Sequence, residues 1–186
     1  KKAEKKQRPE VKEANLDIFG YGSGFFVNKK GNVVTNYHVV EGCDKVGVDF
    51  DGELYETILI AHDPKNDLAV LKTKIKPETF FSISEQDAKL TDELIAAGYP
   101  FAEISSTVKT TKGIVSSLAG IDNNYSIMQM DAAVQPGNSG GPLFNQSGKV
   151  IGITQAALDP QLATESIGAL PQNVNYAIKS SYIKKL

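Results

Sequence analysis

The residues with the clearest chemical potential lie in the segment 135–142, which reads QPGNSGGP. Glycine has no Cβ, so its backbone can turn sharply and approach a substrate closely. Such a turn can direct the backbone N–H groups of Gly137 and Ser139 to one position, which is the geometry that holds an oxyanion. Ser139 is therefore a candidate nucleophile, provided that a histidine base and a carboxylate lie elsewhere in the chain.

The order of the histidines and the serine along the chain separates three classes of serine hydrolase. The pattern G-x-S-x-G at 137–141 also fits the α/β-hydrolases, in which the histidine follows the serine. The chain has only two histidines, His38 and His62, and both precede Ser139. The order Asp–His–Ser would need an α/β pattern, which this sequence lacks. The remaining order, His–Asp–Ser, goes with paired β-barrels.

His38 is the preferred candidate for the base. It follows an apolar strand pattern, VVTNYHVV at 33–40, and the end of a rigid strand is a good position for a catalytic group. His62 lies in the turn-like sequence AHDP at 61–64 and is expected to be a surface residue.

The third catalytic group has several candidates, which are Asp44, Asp49, Asp51, Asp63 and Asp67. Asp51 belongs to an Asp-Gly turn, and Asp44 lies close to His38 along the chain. Asp67 begins a nearly continuous apolar run, whose burial would leave a partly desolvated carboxylate suited to orienting an imidazole. Asp67 is preferred, and Asp63 is the alternative.

The composition describes an ordinary globular chain of 186 residues, 41% apolar and 23% charged, with a formal net charge of −2. This length suits one domain or one compact two-barrel unit, and the charge does not indicate nucleic-acid binding. Cys43 is the only cysteine, so an intrachain disulfide is excluded and a small buried side chain is expected there. One cysteine and two histidines do not suit the usual metal sites, and no cofactor is expected.

Short strands separated by turns are the dominant pattern. The segments 28–32 and 51–52 are hairpin signals, and strands at this spacing predict an all-β fold, a barrel or a sandwich, with little helix. Only 84–90 and 178–186 suit short helices, and 157–172 is predicted to be a surface loop. The predicted strands are 19–27, 33–35, 45–50, 53–61, 67–72, 93–98, 107–118, 126–134, 143–144, 149–156 and 173–178.

The N-terminal residues differ from the rest of the chain. Residues 1–13 contain six Lys or Arg and three Glu, which predicts a solvated segment. We expect a flexible segment at 1–16 and one folded domain at 17–186, with a boundary between two barrels within 82–106. No apolar run reaches membrane-spanning length and no signal peptide is recognisable, so membrane association is not indicated. Because the chain starts with Lys1 and not with Met, we expect a processed or excised piece.

In their order along the chain, the motifs resemble those of the HtrA/Deg family of trypsin-fold serine proteases. The resemblance covers most of residues 19–178. Its motifs are GSGF at 22–25, TNYHVV at 35–40, DP at 63–64, NDLAVLK at 66–72, GYPF at 98–101, GIVS at 113–116, DAA at 131–133, PGNSGGPL at 136–143 and YAI at 176–178.

The resemblance implies a trypsin-like double β-barrel and a serine endopeptidase that acts on unfolded or misfolded protein, in protein quality control and the stress response. It implies that His38 is the base, Asp67 its orienting group and Ser139 the nucleophile. The backbone of Gly137, Asn138 and Ser139 would form the oxyanion hole.

The resemblance also implies a substrate pocket. In trypsin-fold enzymes the base of this pocket lies six residues before the nucleophile, which is Ala133 in this sequence. We expect Ala133, Val134, Ile153 and Thr154 to form the pocket and to favour small or medium apolar side chains. Asp131, the nearest acid, is the alternative pocket base.

The partners and the location follow from the same resemblance. The expected partners are unfolded proteins or peptides, and a homotrimer is expected through the N-terminal region, with Phe19 and Tyr21 as contact or core residues. The expected location is extracytoplasmic, in a bacterial periplasm or cell envelope, or in an organelle of bacterial origin.

Two other functions stay open from the sequence. The first is a peptide-binding or chaperone-like module that does not cleave, because its oxyanion loop rests in an unproductive state. The second is a structural role within a larger protein, which the charged N-terminal segment suggests.

Overall fold

The computed structural model describes residues 20–102, 107–157 and 173–186. Within these ranges the regular secondary structure is almost entirely β, which confirms the predicted all-β class with little helix. The elements are β1 Phe25–Phe26, β2 Asn32–Thr35, β3 Gly47–Phe50, β4 Glu53–Glu56, β5 Ile58–Asp63, β6 Leu68–Lys72, β7 Glu93–Gly98, β8 Lys109–Ser117, a 3₁₀ turn Ile121–Asn123, β9 Ile127–Met130, β10 Pro142–Phe144, β11 Val150–Ala157, β12 Asn175–Lys179 and the helix α1 Ser180–Ile183.

The first half of the described chain contains the strands β1 to β6. Four of them form an antiparallel sheet in the order β1-β2-β6-β5, and β3 and β4 form a separate hairpin. The hairpin turns at Asp51 and Gly52, whose φ angles of 54° and 82° are the left-handed values that two-residue hairpin turns need. The predicted strand 53–61 is divided at Thr57, because its N–H and its hydroxyl both donate to the Val46 carbonyl. This break separates the hairpin from β5 and the sheet.

The second half is a closed barrel of six strands, in the order β7-β8-β9-β12-β11-β10. Along β7 the side chains alternate, so that Glu93 is exposed and Leu94 is buried, as the two-residue period of a strand requires. Side chains that are at most 1% exposed fill the interior, namely Leu94, Val115, Met128, Met130 and Leu143.

A second apolar cluster joins the two halves. It contains Phe25, Val34 and Leu68 from the first half and Val150, Ile153 and Ile178 from the barrel. Ile183 of α1 packs on the same cluster. Because this core is shared, the ends of β2 and β6 are held in a fixed position against β11 of the barrel.

Some local predictions were wrong. Residues 84–90 do not form the predicted helix, because the Ser84 N–H donates to the Val150 carbonyl and Ile83 forms a β-bridge with Val150. Cys43 is exposed and not buried, since it lies in a turn region. The predicted strand 19–27 is reduced to β1 within the described residues. The predicted segment 1–16, and the loop 157–172 apart from Ala157, lie outside the described residues. None of the helices in the described ranges is long and apolar enough to cross a membrane.

Candidate active site

His38 and Asp67 lie at one end of the paired strands β2 and β6. β2 ends at Thr35 and β6 begins at Leu68, and Thr35 lies opposite Ala69 in the antiparallel register. The residues that follow β2 and those that precede β6 therefore meet at the same end of the sheet. At this end His38 Nδ1 lies 2.8 Å from Oδ2 of Asp67.

Asp67 is held by hydrogen bonds from three sides. Its Oδ1 accepts the His38 backbone N–H at 2.8 Å, and its Oδ2 accepts the Gln155 side-chain amide at 3.2 Å. Its carbonyl accepts the Asn36 side chain at 3.0 Å and the Tyr37 N–H at 3.2 Å. These contacts hold Asp67 at φ 54°, a left-handed conformation in which aspartate is enriched. The carboxylate side chain is 14% exposed and the imidazole side chain 46%, so the imidazole faces the solvent-accessible side.

The turn that carries Ser139 requires glycine at position 137. Gly137 has a φ of 97°, and a Cβ there would lie 2.8 Å from the Tyr99 carbonyl oxygen. The N–H groups of Gly137 and Ser139 donate to none of the described residues. Asn138 does not fit its predicted place in the oxyanion hole, because its N–H closes the turn by donating to the Gln135 carbonyl at 3.0 Å.

The hydroxyl of Ser139 donates to the Gln155 carbonyl at 2.6 Å. Among the described residues, no hydrogen bond joins this hydroxyl to His38. Because the Gln155 side chain also donates to Asp67, one residue of β11 contacts both the nucleophile and the carboxylate of the predicted triad. Gln155, His38 and Asp67 line an open cleft of about 470 Å³, together with Tyr37, Glu41 and Pro64.

Ser23 is 4% exposed and connects the Ser139 turn to the first half. Its hydroxyl donates to the Gly137 carbonyl at 2.6 Å and accepts the Tyr99 N–H at 2.9 Å. Its N–H donates to the Ser139 carbonyl at 2.8 Å, and its carbonyl accepts the Thr35 hydroxyl at 2.7 Å. Ser23 therefore holds the carbonyl groups of Gly137 and Ser139, which belong to the turn that carries the candidate nucleophile.

His62, the alternative base, and Asp63, the alternative carboxylate, contact residues other than the predicted catalytic ones. The His62 ring stacks on Tyr37, with 5.2 Å between the ring centroids and 19° between the planes. Asp63 accepts the backbone and side-chain N–H groups of Asn66. The side-chain hydrogen bond from Asn66 holds the pKa of Asp63 below its usual value. Asp63 is thus engaged in the turn that precedes Asp67.

Three of the four predicted pocket residues lie in the interior. Val134, Ile153 and Thr154 are 6%, 0% and 1% exposed, and only Ala133 is exposed. Ile153 belongs to the cluster between the halves, which contradicts its predicted position on an accessible pocket wall. The physical reason is that β11 is covered on both faces, by the barrel interior and by the first half, so its side chains do not alternate between core and solvent.

Asp131 and Ala133 are both tied to β8. Asp131 Oδ1 accepts the Ile114 N–H at 2.7 Å, and the Ala133 carbonyl accepts the Thr111 hydroxyl at 2.7 Å. One oxygen of the alternative pocket acid already has a donor within the protein. The carboxylate is therefore less available to a cation of a substrate.

The motif GSGF at 22–25 contains Ser23, but no sequence pattern marks Ser23 or Gln155 as part of the site. A serine between glycines, like Ser23, is typical of many turns. Gln155 lies in an apolar strand without a motif of its own. Their roles depend on contacts with residues far away in the chain, which local spacing does not reveal.

The fold and these contacts define a class of protein. A β-barrel packed on a second β-unit, with a histidine–aspartate pair beside a serine in a glycine turn, is the architecture of trypsin-like serine peptidases. The profile of the family described as "Trypsin-like peptidase domain" matches residues 22–153.

Individual relatives narrow this class. The chain is 39% identical over 162 residues to the "Uncharacterized protein y4bJ" of Sinorhizobium fredii (strain NBRC 101917 / NGR234), covering 86% of this chain and 26% of that protein. It is 40% identical over 162 residues to a "Probable periplasmic serine endoprotease DegP-like" of Rickettsia conorii, covering 82% of this chain and 32% of that protein. The solved structure "HtrA-type protease AlgW with decapeptide" superposes with a TM-score of 0.73 at 32% identity, covering 88% of this chain and 49% of that one.

The chain belongs to the trypsin-like peptidase family, and it is similar to proteins described as DegP-like serine endoproteases and as an HtrA-type protease. It spans 26% and 32% of the length of the two curated relatives.

Proposed function

We propose that the chain is the catalytic domain of an endopeptidase that cleaves unfolded or misfolded proteins in protein quality control, with His38, Asp67 and Ser139 as its catalytic residues. The observation that carries the proposal is the 2.8 Å contact between His38 and Asp67 in a cleft that Gln155 also lines. Gln155 in turn holds the Ser139 hydroxyl, and the N–H groups of Gly137 and Ser139 in the same turn donate to none of the described residues.

The reaction begins with attack of Ser139 Oγ on the substrate carbonyl carbon. The hydroxyl leaves the Gln155 carbonyl and donates to His38 Nε2, which takes the proton as the new C–O bond forms. The N–H groups of Gly137 and Ser139 stabilise the negative charge on the former carbonyl oxygen. The imidazolium then protonates the leaving amine, the C–N bond breaks, and an acyl group remains on Ser139.

Asp67 orients the base during this sequence. It accepts Nδ1–H of His38, and this hydrogen bond selects the imidazole tautomer whose Nε2 is free to accept a proton. In the second half of the reaction His38 deprotonates a water molecule, which attacks the acyl carbon. The C–O bond to Ser139 breaks, and the serine regains its proton from His38.

Labelling with a fluorophosphonate probe tests this proposal. The unaltered chain should be labelled covalently at Ser139, and His38→Ala should lose most of this labelling. His62→Ala is the control and should be labelled normally, because the His62 ring stacks on Tyr37 and forms no hydrogen bond with Ser139. Because the triad acts as a unit, Ser139→Ala and His38→Ala should each abolish peptide turnover, and the double variant should be little worse. Absence of labelling of Ser139 in the unaltered chain would contradict the proposal.

A second candidate function is peptide binding without cleavage. It is favoured by one observation, the hydrogen bond of the Ser139 hydroxyl to Gln155 and not to His38. A domain held in this state would bind peptides stoichiometrically and would not react with the probe. Measuring peptide binding and probe labelling on the same sample separates the two functions.

For the substrate, we infer a preference for Val, Ala, Leu, Ile or Thr immediately before the cleaved bond. Ala133 carries no charge, and Asp131 Oδ1 already accepts the Ile114 N–H. Burying an unpaired Arg or Lys of the substrate would cost several kcal/mol, roughly. Mass spectrometry of casein fragments checks this preference. Cuts mainly after Arg or Lys, abolished by Asp131→Asn, would contradict it.

For location and assembly, we infer an extracytoplasmic protein that forms a homotrimer. The name of the Rickettsia relative contains the word periplasmic, which supports a bacterial periplasm or cell envelope, or an organelle of bacterial origin. Tyr21 is 49% exposed and is available to a subunit contact, whereas Phe19, the other predicted contact residue, lies outside the described residues. Light scattering on the purified chain should give three times the chain mass, and Tyr21→Ser should reduce it; a monomer in the unaltered chain would contradict the trimer.

A further inference from the structure

Five lysines surround one hollow on the first half of the molecule. The hollow has a volume of about 510 Å³. Its lining, called the lysine hollow below, consists of Lys29, Lys30, Lys72, Thr73, Lys74 and Lys76. The whole chain has a net charge of −2, so this concentration of positive charge differs from the average surface.

None of the five lysines is paired with a carboxylate of the described residues. The ion pairs of lysines in these parts of the chain lie elsewhere and join Lys45 to Glu56, Lys112 to Glu93 and Lys184 to Glu85. The Lys72 ammonium donates to the Lys30 carbonyl and to the Asn32 side chain, and both of these groups are neutral. No carboxylate in the described part of the chain therefore forms an ion pair that offsets the positive charge of the hollow.

Hydrogen bonds hold the backbone that carries the lysines in a fixed conformation. The Thr73 N–H donates to the Gly31 carbonyl at 2.9 Å, and the Thr73 hydroxyl donates to the same carbonyl at 3.2 Å. Gly31 has a φ of 82°, and a Cβ at this position would collide with the Ile75 carbonyl oxygen. Asn28 Oδ1 accepts the Lys30 N–H at 2.9 Å. The turn at 28–32 and the segment 72–76 are thus locked together, and the hollow is formed before any ligand arrives.

Alternation along the second segment places its charges on one side. Thr73 and Ile75 are buried at 4% and 8% exposure, while Lys74 and Lys76 are exposed. In an extended chain, successive side chains point to opposite sides. The buried Ile75 therefore anchors the segment, and the exposed Lys74 and Lys76 line the hollow, which Thr73 also borders.

The lysine hollow lies at the opposite end of the sheet from the candidate active site. In the β2–β6 register, Asn32 is opposite Lys72 and Thr35 is opposite Ala69. His38 follows Thr35, so about 10 Å of strand separates the two ends, at about 3.3 Å per residue. A ligand in the hollow would leave the cleft beside His38 open.

We propose that the lysine hollow is a binding site for a soluble anion that carries several phosphate groups. Lysine ammonium groups are compact charges that suit phosphate oxygens, and five of them match a ligand with several negative charges. Among the described residues, the lining contains no aromatic side chain for stacking on a base and no apolar side chain for entering a lipid surface. The lining therefore favours a polyphosphate over a nucleic acid or a membrane.

Calorimetric titration with sodium tripolyphosphate at low ionic strength tests the site. The variant Lys29→Gln/Lys74→Gln/Lys76→Gln should bind at least about tenfold more weakly than the unaltered chain, because the attraction is electrostatic. The matched control, Lys45→Gln/Lys112→Gln/Lys184→Gln, removes the same total charge from lysines that already have partners, and its affinity should change less than about twofold. Equal losses in both variants, or no binding by the unaltered chain, would overturn the proposal.

Further measurements test the site independently of the charge variants. In NMR spectra of the unaltered chain, tripolyphosphate should shift the amide signals of 28–32 and 72–76; this needs no variant to fold, and shifts confined to other residues would overturn the site. Orthophosphate and vesicles of phosphatidylglycerol, titrated separately, should both bind more weakly than tripolyphosphate. Tighter binding to the vesicles would overturn the assignment to a soluble anion. Probe labelling of Ser139 should be unchanged in the variant Lys29→Gln/Lys74→Gln/Lys76→Gln.

Discussion

At the scale of single residues, the candidate site depends on how completely the Asp67 carboxylate is engaged. Both of its oxygens accept hydrogen bonds, and two of these bonds come from His38. Such a carboxylate fixes both the position and the tautomer of the imidazole. Asp63 is the last residue of β5, directly before the same turn, but its oxygens accept the N–H groups of Asn66.

This difference leads to a prediction for the two aspartates. Asp67→Asn should lower kcat by about 10⁴-fold, because an amide that donates to Nδ1 selects the wrong imidazole tautomer. The control Asp63→Asn should change kcat by no more than a few fold, because Asp63 does not contact His38 and the substitution acts like one at an ordinary surface position. Steady-state hydrolysis of an unfolded protein substrate measures both. A severe loss in Asp63→Asn with a nearly normal Asp67→Asn would reverse the assignment.

Ser23 is a positioning residue, since it acts on the reaction through the backbone of the Ser139 turn. Ser23→Ala should lower kcat about tenfold, less than the 10²–10³-fold cost of removing an oxyanion donor, with little change in KM. The reason is that the Gly137 carbonyl loses its hydroxyl donor and the turn becomes less ordered.

The control for Ser23 is a second buried serine outside the site. Ser126 is 6% exposed and its hydroxyl donates to Asn124, so Ser126→Ala should lose stability but keep its kcat. Chemical denaturation and kinetics on both variants separate the two effects. An equal kcat in Ser23→Ala and the unaltered chain would show that the hydroxyl is only structural.

At the scale of elements, the strand ends and their turns carry the site. The turn between β5 and β6 brings Asp67 to His38, and Asp63 with Asn66 closes this turn. Because the pKa of Asp63 is lower in the folded chain than its ordinary value, its ionised form stabilises the fold. This contribution is present above the ordinary pKa of an aspartate and is lost as the pH falls through the lowered value.

Asn66→Ala should therefore raise the pKa of Asp63 toward its ordinary value and remove this acid-dependent part of the stability. Carboxyl NMR titration measures the pKa, and urea denaturation at several pH values measures the stability. The control is Asn145→Ala, because Asn145 also closes a turn but accepts only backbone N–H groups. If the pKa of Asp63 is unchanged in Asn66→Ala, the side-chain hydrogen bond is not the cause of the shift.

At the scale of the whole molecule, the two halves share an apolar core and are expected to unfold together. Ile178 of β12 is 0% exposed and packs with Phe25 and Leu68 of the first half. Ile178→Ala should lower the free energy of unfolding by about 2–5 kcal/mol, because it leaves a cavity in this shared core. The control Ile95→Ala, on a side chain that is 41% exposed, should change it by about 0.5 kcal/mol or less.

Urea denaturation followed by circular dichroism and by tyrosine fluorescence checks this prediction. The curves from the two probes should coincide in the unaltered chain and in both variants. Two separated transitions would mean that the halves are independent and that the shared cluster contributes little to their coupling.

Much of the fold is readable from the sequence because its signals are local. The strand β7 was predicted with its observed bounds, 93–98, since the alternation of buried and exposed side chains is short-range. The Asp51-Gly52 hairpin follows from the backbone freedom of its two turn residues. The prediction of a helix at 84–90 is wrong. The local composition favours a helix, but Ile83 and Ser84 pair with Val150, which is distant in the sequence.

For the site, the sequence by itself determined the order His–Asp–Ser, the glycine turn around Ser139 and the short list of possible carboxylates. Only the tertiary structure decided that Asp67 contacts His38, that Ser23 and Gln155 hold the Ser139 turn, and that Ile153 lies in the core. Motifs and periodicity report on neighbours along the chain, whereas these contacts join residues on different strands. Their geometry exists only once the register of β2, β6 and β11 and the packing of the two halves bring those strands together.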